Sequence, residues 1–505
     1  MDSANQQPLA RSKAQPGAGS DFLALWLGDV PPGGRTTWLT TRIREAIVSG
    51  TLGVGDHLPP TRTLAAEVGV SRGVVTEAYQ RLADEGHVVG QGRGGTIVVS
   101  RPVQPPGAAP SYRPPSSLPT TVAPGIFDDL SADDVVDRLR AAPARIDLSP
   151  GVPDLTAFPR AAWLRAEREV IGARAAAELG YGDPRGAPAF RAAVSRWVAR
   201  SRGIRVDPDD VLVVAGAAQA FFLLAHVLRD AGTTRVGMED PGSFGARQQL
   251  RRVGLDPVPV AVDDDGLRVD ALRSSGTRVV MTTPAHQFPT GVVLSGARRR
   301  ELGSWVEGGG LVLEDDYDAE HRYDRAPVPA LRATLGDAVA YVGSVSKLLA
   351  PALRTGWLIA PPRLRAPVLR LKRDVDLGNP ALPQLVLAHL MDSGAMERHL
   401  RALRGRHRAR RDAMVSALAS RLPAATVRGA AAGLHLVVTL PPGTDDTAVA
   451  RHALERGVKV HPLSLHRQVP GEPGLVLGYA AHTPGVVAEG IGLIADVIPG
   501  ALDKT

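Results

Sequence analysis

The 505-residue chain contains no cysteine. That excludes disulfides, thiol nucleophiles and cysteine zinc sites, and it fits a protein of the reducing cytosol. No run of about 18 apolar residues occurs, so no membrane span is expected. The opening segment "MDSANQQPLARSKAQPGAGS" is polar and lacks the apolar stretch of a signal peptide. A cytoplasmic location and no membrane partner follow as expectations. No internal repeat is evident. Neither sign of charge dominates: Lys+Arg is 59, Asp+Glu is 52, and the net charge is +7. Such a balance permits nucleic-acid binding without requiring it.

What is present is length, with 44% hydrophobic residues to build cores. Two or three domains are expected from that length. Residues 101–125, "RPVQPPGAAPSYRPPSSLPTTVAPG", are crowded with Pro, Ser and Ala. A segment like this cannot pack a core and tends to be extended. It reads as a linker over 101–144, dividing a module at 36–100 from one at 145–500.

In the first module, "TWLTTRIREAIVSG" puts Leu39, Ile43, Ala46 and Ile47 on one helical face, with Gly50 as a stop. "TRTLAAEVGVSRGVVTEAYQRLADEG" predicts a short helix, a turn at Gly69 and a longer helix with Ser71 as N-cap. Val74, Val75, Ala78, Tyr79 and Leu82 form the buried stripe of that longer helix. "HVVGQGRGGTIVVS" reads as two strands around a glycine-rich hairpin. A helix, a helix-turn-helix and a β-wing make a winged helix-turn-helix, whose second motif helix enters the DNA major groove. The rival reading is a small helical module for a protein partner. Placement favours DNA: Arg62, Arg72 and Arg93 fall at the turn, the recognition-helix start and the wing tip. The run "IVSGTLGVGDHLPPTRTLAAEVGVSRGVVTEAYQRLADEGHV" resembles the DNA-binding domain of the GntR family. That resemblance implies a double-stranded DNA operator as partner, with Arg62, Ser71, Arg72, Thr76 and Arg93 at the interface. Thr76 stands where the family often has arginine, which leaves the base preference open.

In the second module, "DVLVVAG", "TRVGMEDPG", "TRVVMTTP", "GGLVLEDDYD" and "AVAYVGSVSK" each end in small or polar residues. Apolar strands with chemistry at their C-terminal ends mark a parallel α/β sheet. "GAAQA" at 216–220 opens a helix whose N-terminus would suit a phosphate, although in isolation such a run reads first as a packing turn. The acid cluster "EDDYDAEHRY" could bind a metal, but no second ligand cluster with metal-type spacing accompanies it. Lys347 follows a short apolar run and "SVS", with Arg354 seven positions on. A Schiff-base lysine needs such partial desolvation, and an arginine fork suits a phosphate.

An amine, a carboxylate for a ring nitrogen and phosphate donors together describe a site for pyridoxal 5'-phosphate. The ordered motifs "YGDPRG", "GAAQA", "EDPGS", "HQFPTG", "EDDYDAEHRY" and "GSVSKLLAPALRTGW" resemble the MocR subfamily of GntR regulators. The resemblance implies an α/β chain: a winged helix-turn-helix fused to a fold-type I aminotransferase domain, with a large, mostly parallel sheet and a smaller α/β domain. It also implies roles. Lys347 is the Schiff-base lysine, Asp315 pairs with the pyridine nitrogen and Tyr317 bonds the ring hydroxyl. Ala217, Ala218, Ser344, Ser346 and Arg354 surround the phosphate. Tyr181 reaches the other subunit's phosphate, so a homodimer is expected. Phe288 occupies the position of the family's "NPTG" asparagine, and His286 or Gln287 stands in for it. Ala481 and Gly245 stand where amino-acid-binding members carry carboxylate-gripping arginines.

These features predict a transcriptional regulator whose small-molecule effector is pyridoxal phosphate, controlling vitamin B6 supply. The alternatives are an active aminotransferase with an accessory DNA-binding domain and a regulator that senses an amine or amino acid. A cofactor-free scaffold is a further alternative, against which the retained Lys347, Asp315, Tyr317 and Arg354 argue. In the run 398–414, Arg398, Arg401, Arg404, Arg408 and Arg411 could track a phosphate backbone, but the run reads first as a solvated helix between large and small domains. His226 and His435 read as packing or surface residues.

Overall fold

The computed structural model describes residues 30–92, 95–99, 126–127, 134–175, 179–318, 320–323 and 328–498. The chain divides into two compact units, Met1–Ser116 and Ser117–Thr505.

In the first unit, α1 (Arg35–Ser49) buries Leu39, Ile43, Ala46 and Ile47, the face its spacing predicts. It stops at Gly50, whose φ of 82° suits a residue without a Cβ. After β1 (His57–Leu58), α2 (Thr61–Val68) turns at Gly69 into α3 (Arg72–Asp84). Ser71 Oγ accepts the Val74 N–H, which makes it the N-cap. Val75, Ala78, Tyr79 and Leu82 are buried, while Val74 is only partly so. The Tyr79 hydroxyl donates to the Pro59 carbonyl at 2.8 Å, tying α3 to the segment before α2. The wing is β2 (Val88–Gly90) paired antiparallel with β3 (Thr96–Val98). β1 adds an unforeseen third strand on β3, because two residues are too few to show alternation.

The second unit begins to pack before residue 145. Ile126, Phe127 and, on α4 (Val135–Ala141), Val135 and Leu139 are buried in its core. The linker drawn to 144 therefore includes apolar residues that serve this fold. Next come β4 (Ile146–Asp147), α5 (Arg160–Gly172) and α6 (Pro188–Arg202). The large sheet is built from β5 (Val211–Val214), β6 (Arg235–Asp240), β7 (Asp256–Asp263), β8 (Gly266–Leu267), β9 (Val279–Thr282), β10 (Leu311–Asp316), β11 (Val339–Ser344) and β12 (Gly356–Ile359). Its order is β5-β12-β11-β10-β9-β6-β7-β8. The pairs from β11 through β7 are parallel, and β12 runs antiparallel to both its neighbours. Burial on both faces explains the continuous apolar runs of β5, β9 and β11. The strand ends that the sequence marks as chemical therefore share one edge of the sheet.

The smaller sheet has the order β13-β14-β17-β16, from β13 (Thr426–Arg428), β14 (His435–Thr439), β16 (His461–Pro462) and β17 (Gly474–Gly478). β15 (Val458–Lys459) instead pairs with β4. The helix Ala395–Arg421 carries the arginine run, and only part of that run is solvated. Arg410 is buried, and it and Arg406 both reach Asp154, at 2.9 and 2.7 Å. Arg408 donates to the Tyr323 carbonyl. These arginines act as structural ties.

Candidate functional site

The loop between β11 and β12 places Ser346, Lys347 and Arg354 together. Val345, Leu348 and Leu349 are buried and anchor it, which accounts for the apolar setting of the lysine. Lys347 is half-buried, and its amine donates to the Gly151 carbonyl. Desolvation pulls its pKa below the usual lysine value, opposed by the charges of Asp318 and Asp315. A side chain at Gly151 would meet the amine at 2.9 Å.

α7 (Ala217–Asp230) starts at the end of β5, and no side chain caps it. Its first N–H groups, at Ala217 and Ala218, have no intrahelical partner and form an anion cradle. Gly216 precedes them with φ 81°, and a Cβ there would sit 3.2 Å from Arg354 Nη2. Arg354 has a left-handed backbone, φ 43° and ψ 48°, uncommon outside glycine. Its Nη2 donates to the Ala215 carbonyl at 2.5 Å. Ser344 Oγ bonds Ser346 Oγ at 2.9 Å and accepts the Ser346 N–H at 3.1 Å. A helix N-terminus, two hydroxyls and an exposed guanidinium thus converge, which fits a phosphate ester.

Asp315, near the end of β10, has a buried Oδ1 without a protein partner. Desolvation, reinforced by Asp316 and Asp318, pushes its pKa up to about 7. A protonated ring nitrogen would satisfy both the orphaned oxygen and the charge. The neighbouring carboxylates are already engaged. Asp316 forms a fully buried pair with Arg202 at 2.6 Å and accepts from the Tyr341 hydroxyl. Glu314 accepts the Leu331 and Arg332 N–H groups. The residues present therefore fit pyridoxal phosphate.

The raised carboxyl has a consequence for stability. In the unfolded chain Asp315 loses its proton near an ordinary value of about 3.9. In the fold it does so at about 7. Asp315 therefore costs the cofactor-free fold stability progressively as pH rises from about 4 to about 7. Relative to the parent, Asp315→Asn should gain stability across that window. Urea unfolding of both proteins at its two ends checks the sign.

Tyr317 donates to the His286 carbonyl at 3.0 Å, and His286 Nδ1 lies 3.1 Å from the same phenol oxygen. Gln287 is committed elsewhere: its amide donates to Glu239 and to the Pro241 and Phe288 carbonyls. His286, not Gln287, thus stands beside Tyr317. The acid cluster also acquires partners that the sequence reading missed. Asp318, His286 and His435 are all buried, with side-chain donor atoms within 4.8 Å of one another. His435 belongs to this group rather than to a surface.

At the two positions lacking arginine, the surroundings differ. Beside Ala481, Arg410 donates to the Ala480 carbonyl but is neutralised by Asp154. Past Gly245, Arg247 is buried and donates to the Leu465 carbonyl at 3.0 Å. Desolvation lowers its pKa to about 10. No ion pair to it exists among the described residues, and no local motif in the sequence marks it.

In the first unit, Arg62, Arg72 and Thr76 are exposed, as is the Ser71 cap. Arg72 Nε donates to Thr61 Oγ1 at 3.3 Å, across the helix-turn-helix. Thr76 Oγ1 donates back to the Arg72 carbonyl. Arg93 lies outside the described residues. Among the described residues no helix is long and apolar enough to cross a membrane.

A winged helix-turn-helix and a pyridoxal-type cradle on one chain define a class: a transcriptional regulator with an aminotransferase-like domain. Comparison with known proteins agrees. Residues 38–98 match the bacterial regulatory proteins of the gntR family, and 144–493 match aminotransferase class I and II. The chain is 32% identical to the probable rhizopine catabolism regulatory protein MocR of Rhizobium meliloti, over 90% of this chain and 91% of that one. It is 32% identical to the HTH-type pyridoxine biosynthesis transcriptional regulator PdxR of Corynebacterium glutamicum, over 94% and 98%. Among solved structures, a multiple substrate aminotransferase from Thermococcus profundus matches with TM-score 0.67 and 27% identity, over 74% of this chain and 96% of that one. The chain belongs to the MocR-type GntR regulators.

Proposed function

We propose that this regulator binds pyridoxal phosphate covalently at Lys347 and that pyridoxal phosphate is also its effector, controlling genes of vitamin B6 supply. The observation that carries the effector reading is the absence of arginine at Ala481 and Gly245 beside an otherwise complete cradle. A carboxylate in a closed pocket needs charged donors to offset its desolvation. Arg410, the cation next to Ala481, is already paired with Asp154.

When bound, pyridoxal phosphate supplies an aldehyde for an amine and a ring nitrogen that takes a proton. The chain's residues do the rest. Lys347, partly desolvated, offers its amine. Asp315 holds the proton at the ring nitrogen, and Tyr317 faces the ring hydroxyl. Ala217, Ala218, Ser344, Ser346 and Arg354 bind the phosphate. Tyr181 and Leu179 are 98% and 60% exposed within their own chain, which supports a homodimer in which Tyr181 reaches the partner's cradle. Arg62, Ser71, Arg72, Thr76 and Arg93 would face the operator DNA. Ligand binding changes DNA affinity only if the two DNA-binding states bind the effector differently.

A second reading, an amino acid effector, is favoured by one observation: the buried Arg247, which has no ion-pair partner among the described residues. The two separate by titrating the complex with DNA from upstream of the protein's own gene. Pyridoxal phosphate alone should change the affinity. An amino acid panel over the loaded protein should leave both the affinity and the visible spectrum unchanged. Micromolar response to an amino acid, with none to pyridoxal phosphate, would replace the first reading with the second.

A further inference from the structure

We propose that Asp318 and His286 act as one buried pair that positions the Tyr317 phenol and sets the pH at which the pyridoxal-loaded protein changes its visible band. The proposal rests on pyridoxal binding at Lys347, as inferred above. His286 Nδ1 lies 2.9 Å from Asp318 Oδ2 and 3.1 Å from the Tyr317 oxygen. The Tyr317 hydroxyl donates to the main chain of the same histidine at 3.0 Å. One residue therefore holds the phenol through both its ring and its backbone, and Asp318 fixes the ring.

The pair sits in space made by two glycines. A Cβ at Gly433 would lie 2.1 Å from His286 Cε1 and 2.6 Å from Asp318 Oδ2. A Cβ at Gly291 would lie 3.0 Å from His286 Nε2. Asp318 is 1% exposed, and its ion-pair partner among the described residues is His286. A buried carboxylate whose one ion-pair partner among the described residues is an imidazole is costly. Retaining it calls for a role beyond packing.

His321, Tyr323 and Tyr479 also feel the charge of Asp318; burial lowers the pKa of His321 to about 4 and raises those of both tyrosines, so all three stay neutral near pH 7. Glu239, at the end of β6, is satisfied by Thr282, Thr283 and Gln287. His435 on β14 packs against His286 with ring centroids 4.9 Å apart, and its Nε2 bonds the Pro289 carbonyl at 3.1 Å. Burial lowers the His435 pKa to about 3, so it stays neutral. Asp315 faces the same centre from β10. Of the charges that favour a proton on Lys347, Asp318 acts more strongly than Asp315. His286 thus touches Tyr317 directly, and Asp318 biases the proton at Lys347 through its charge.

The full-length protein, loaded with pyridoxal phosphate, is titrated across neutral pH while the visible band is followed. Asp318→Asn should lower the midpoint by about one unit, because a charge favouring the protonated form is gone. Borohydride should still label Lys347 in that variant. His286→Gln keeps an N–H donor toward the phenol and should hold the parent's midpoint, whereas His286→Phe should move it. A loaded, folded Asp318→Asn whose midpoint stays within about 0.2 of the parent would overturn the proposal. So would identical midpoints for His286→Gln and His286→Phe, a comparison that remains decisive if Asp318→Asn fails to fold. Failure of the parent to label at Lys347 would instead remove the pyridoxal reading itself.

Discussion

Lys347→Ala protein, saturated with pyridoxal phosphate, should show no borohydride-reducible visible band and no phosphopyridoxyl peptide. The parent should show both, with the label on Lys347 alone. The effect is complete loss, because among the described residues no other lysine stands in the cradle: Lys372 is buried against Asp376 and Asn379, and Lys459 against Asp147. Desolvation keeps the Lys347 amine below the usual lysine pKa, and so more available as a nucleophile near neutrality. The variant should still bind DNA, since the lysine belongs to the second unit and the helix-turn-helix to the first. A label on a different lysine, read by peptide mapping, would place the cofactor elsewhere.

Arg62→Ala and Arg72→Ala should each weaken specific DNA binding by about 1–3 kcal/mol. Both side chains are exposed on the helix-turn-helix, so neither substitution opens a cavity. Loss of a phosphate contact should also reduce the salt dependence of binding by about one unit of slope. Salt-titrated anisotropy on both variants measures the two quantities together. Parent-like affinity in both would reject the docking of α3 in the major groove.

Much of this was legible in the sequence where the signal is local. Ser71 was readable as a cap because the cap precedes its own helix. The five strand ends were readable because parallel strands buried on both faces give continuous apolar runs that stop where the chemistry starts. Lys347 stood out because its neighbours are anchors of the loop that carries it. Non-local signals were lost. His435 meets the Pro289 turn across 146 positions, and Arg202 meets Asp316 across 114. No spacing rule brings such residues together. The two-residue strand His57–Leu58 was too short for a period to register. The linker was overdrawn because residues 126–142 are few, short and preceded by proline-rich chain, yet Phe127 and Leu139 are buried. Arg247 escaped notice because it lies two positions beyond the expected arginine.

If pyridoxal phosphate on Lys347 controls DNA binding, the two events must be coupled through that one amine. The most direct measurement is a footprint of the DNA upstream of the protein's gene, using the parent and Lys347→Ala, with and without pyridoxal phosphate. Pyridoxal phosphate should change the parent's footprint or affinity and leave that of Lys347→Ala unaltered. An equal response in both proteins, or none in the parent once it is shown to be loaded, would contradict it.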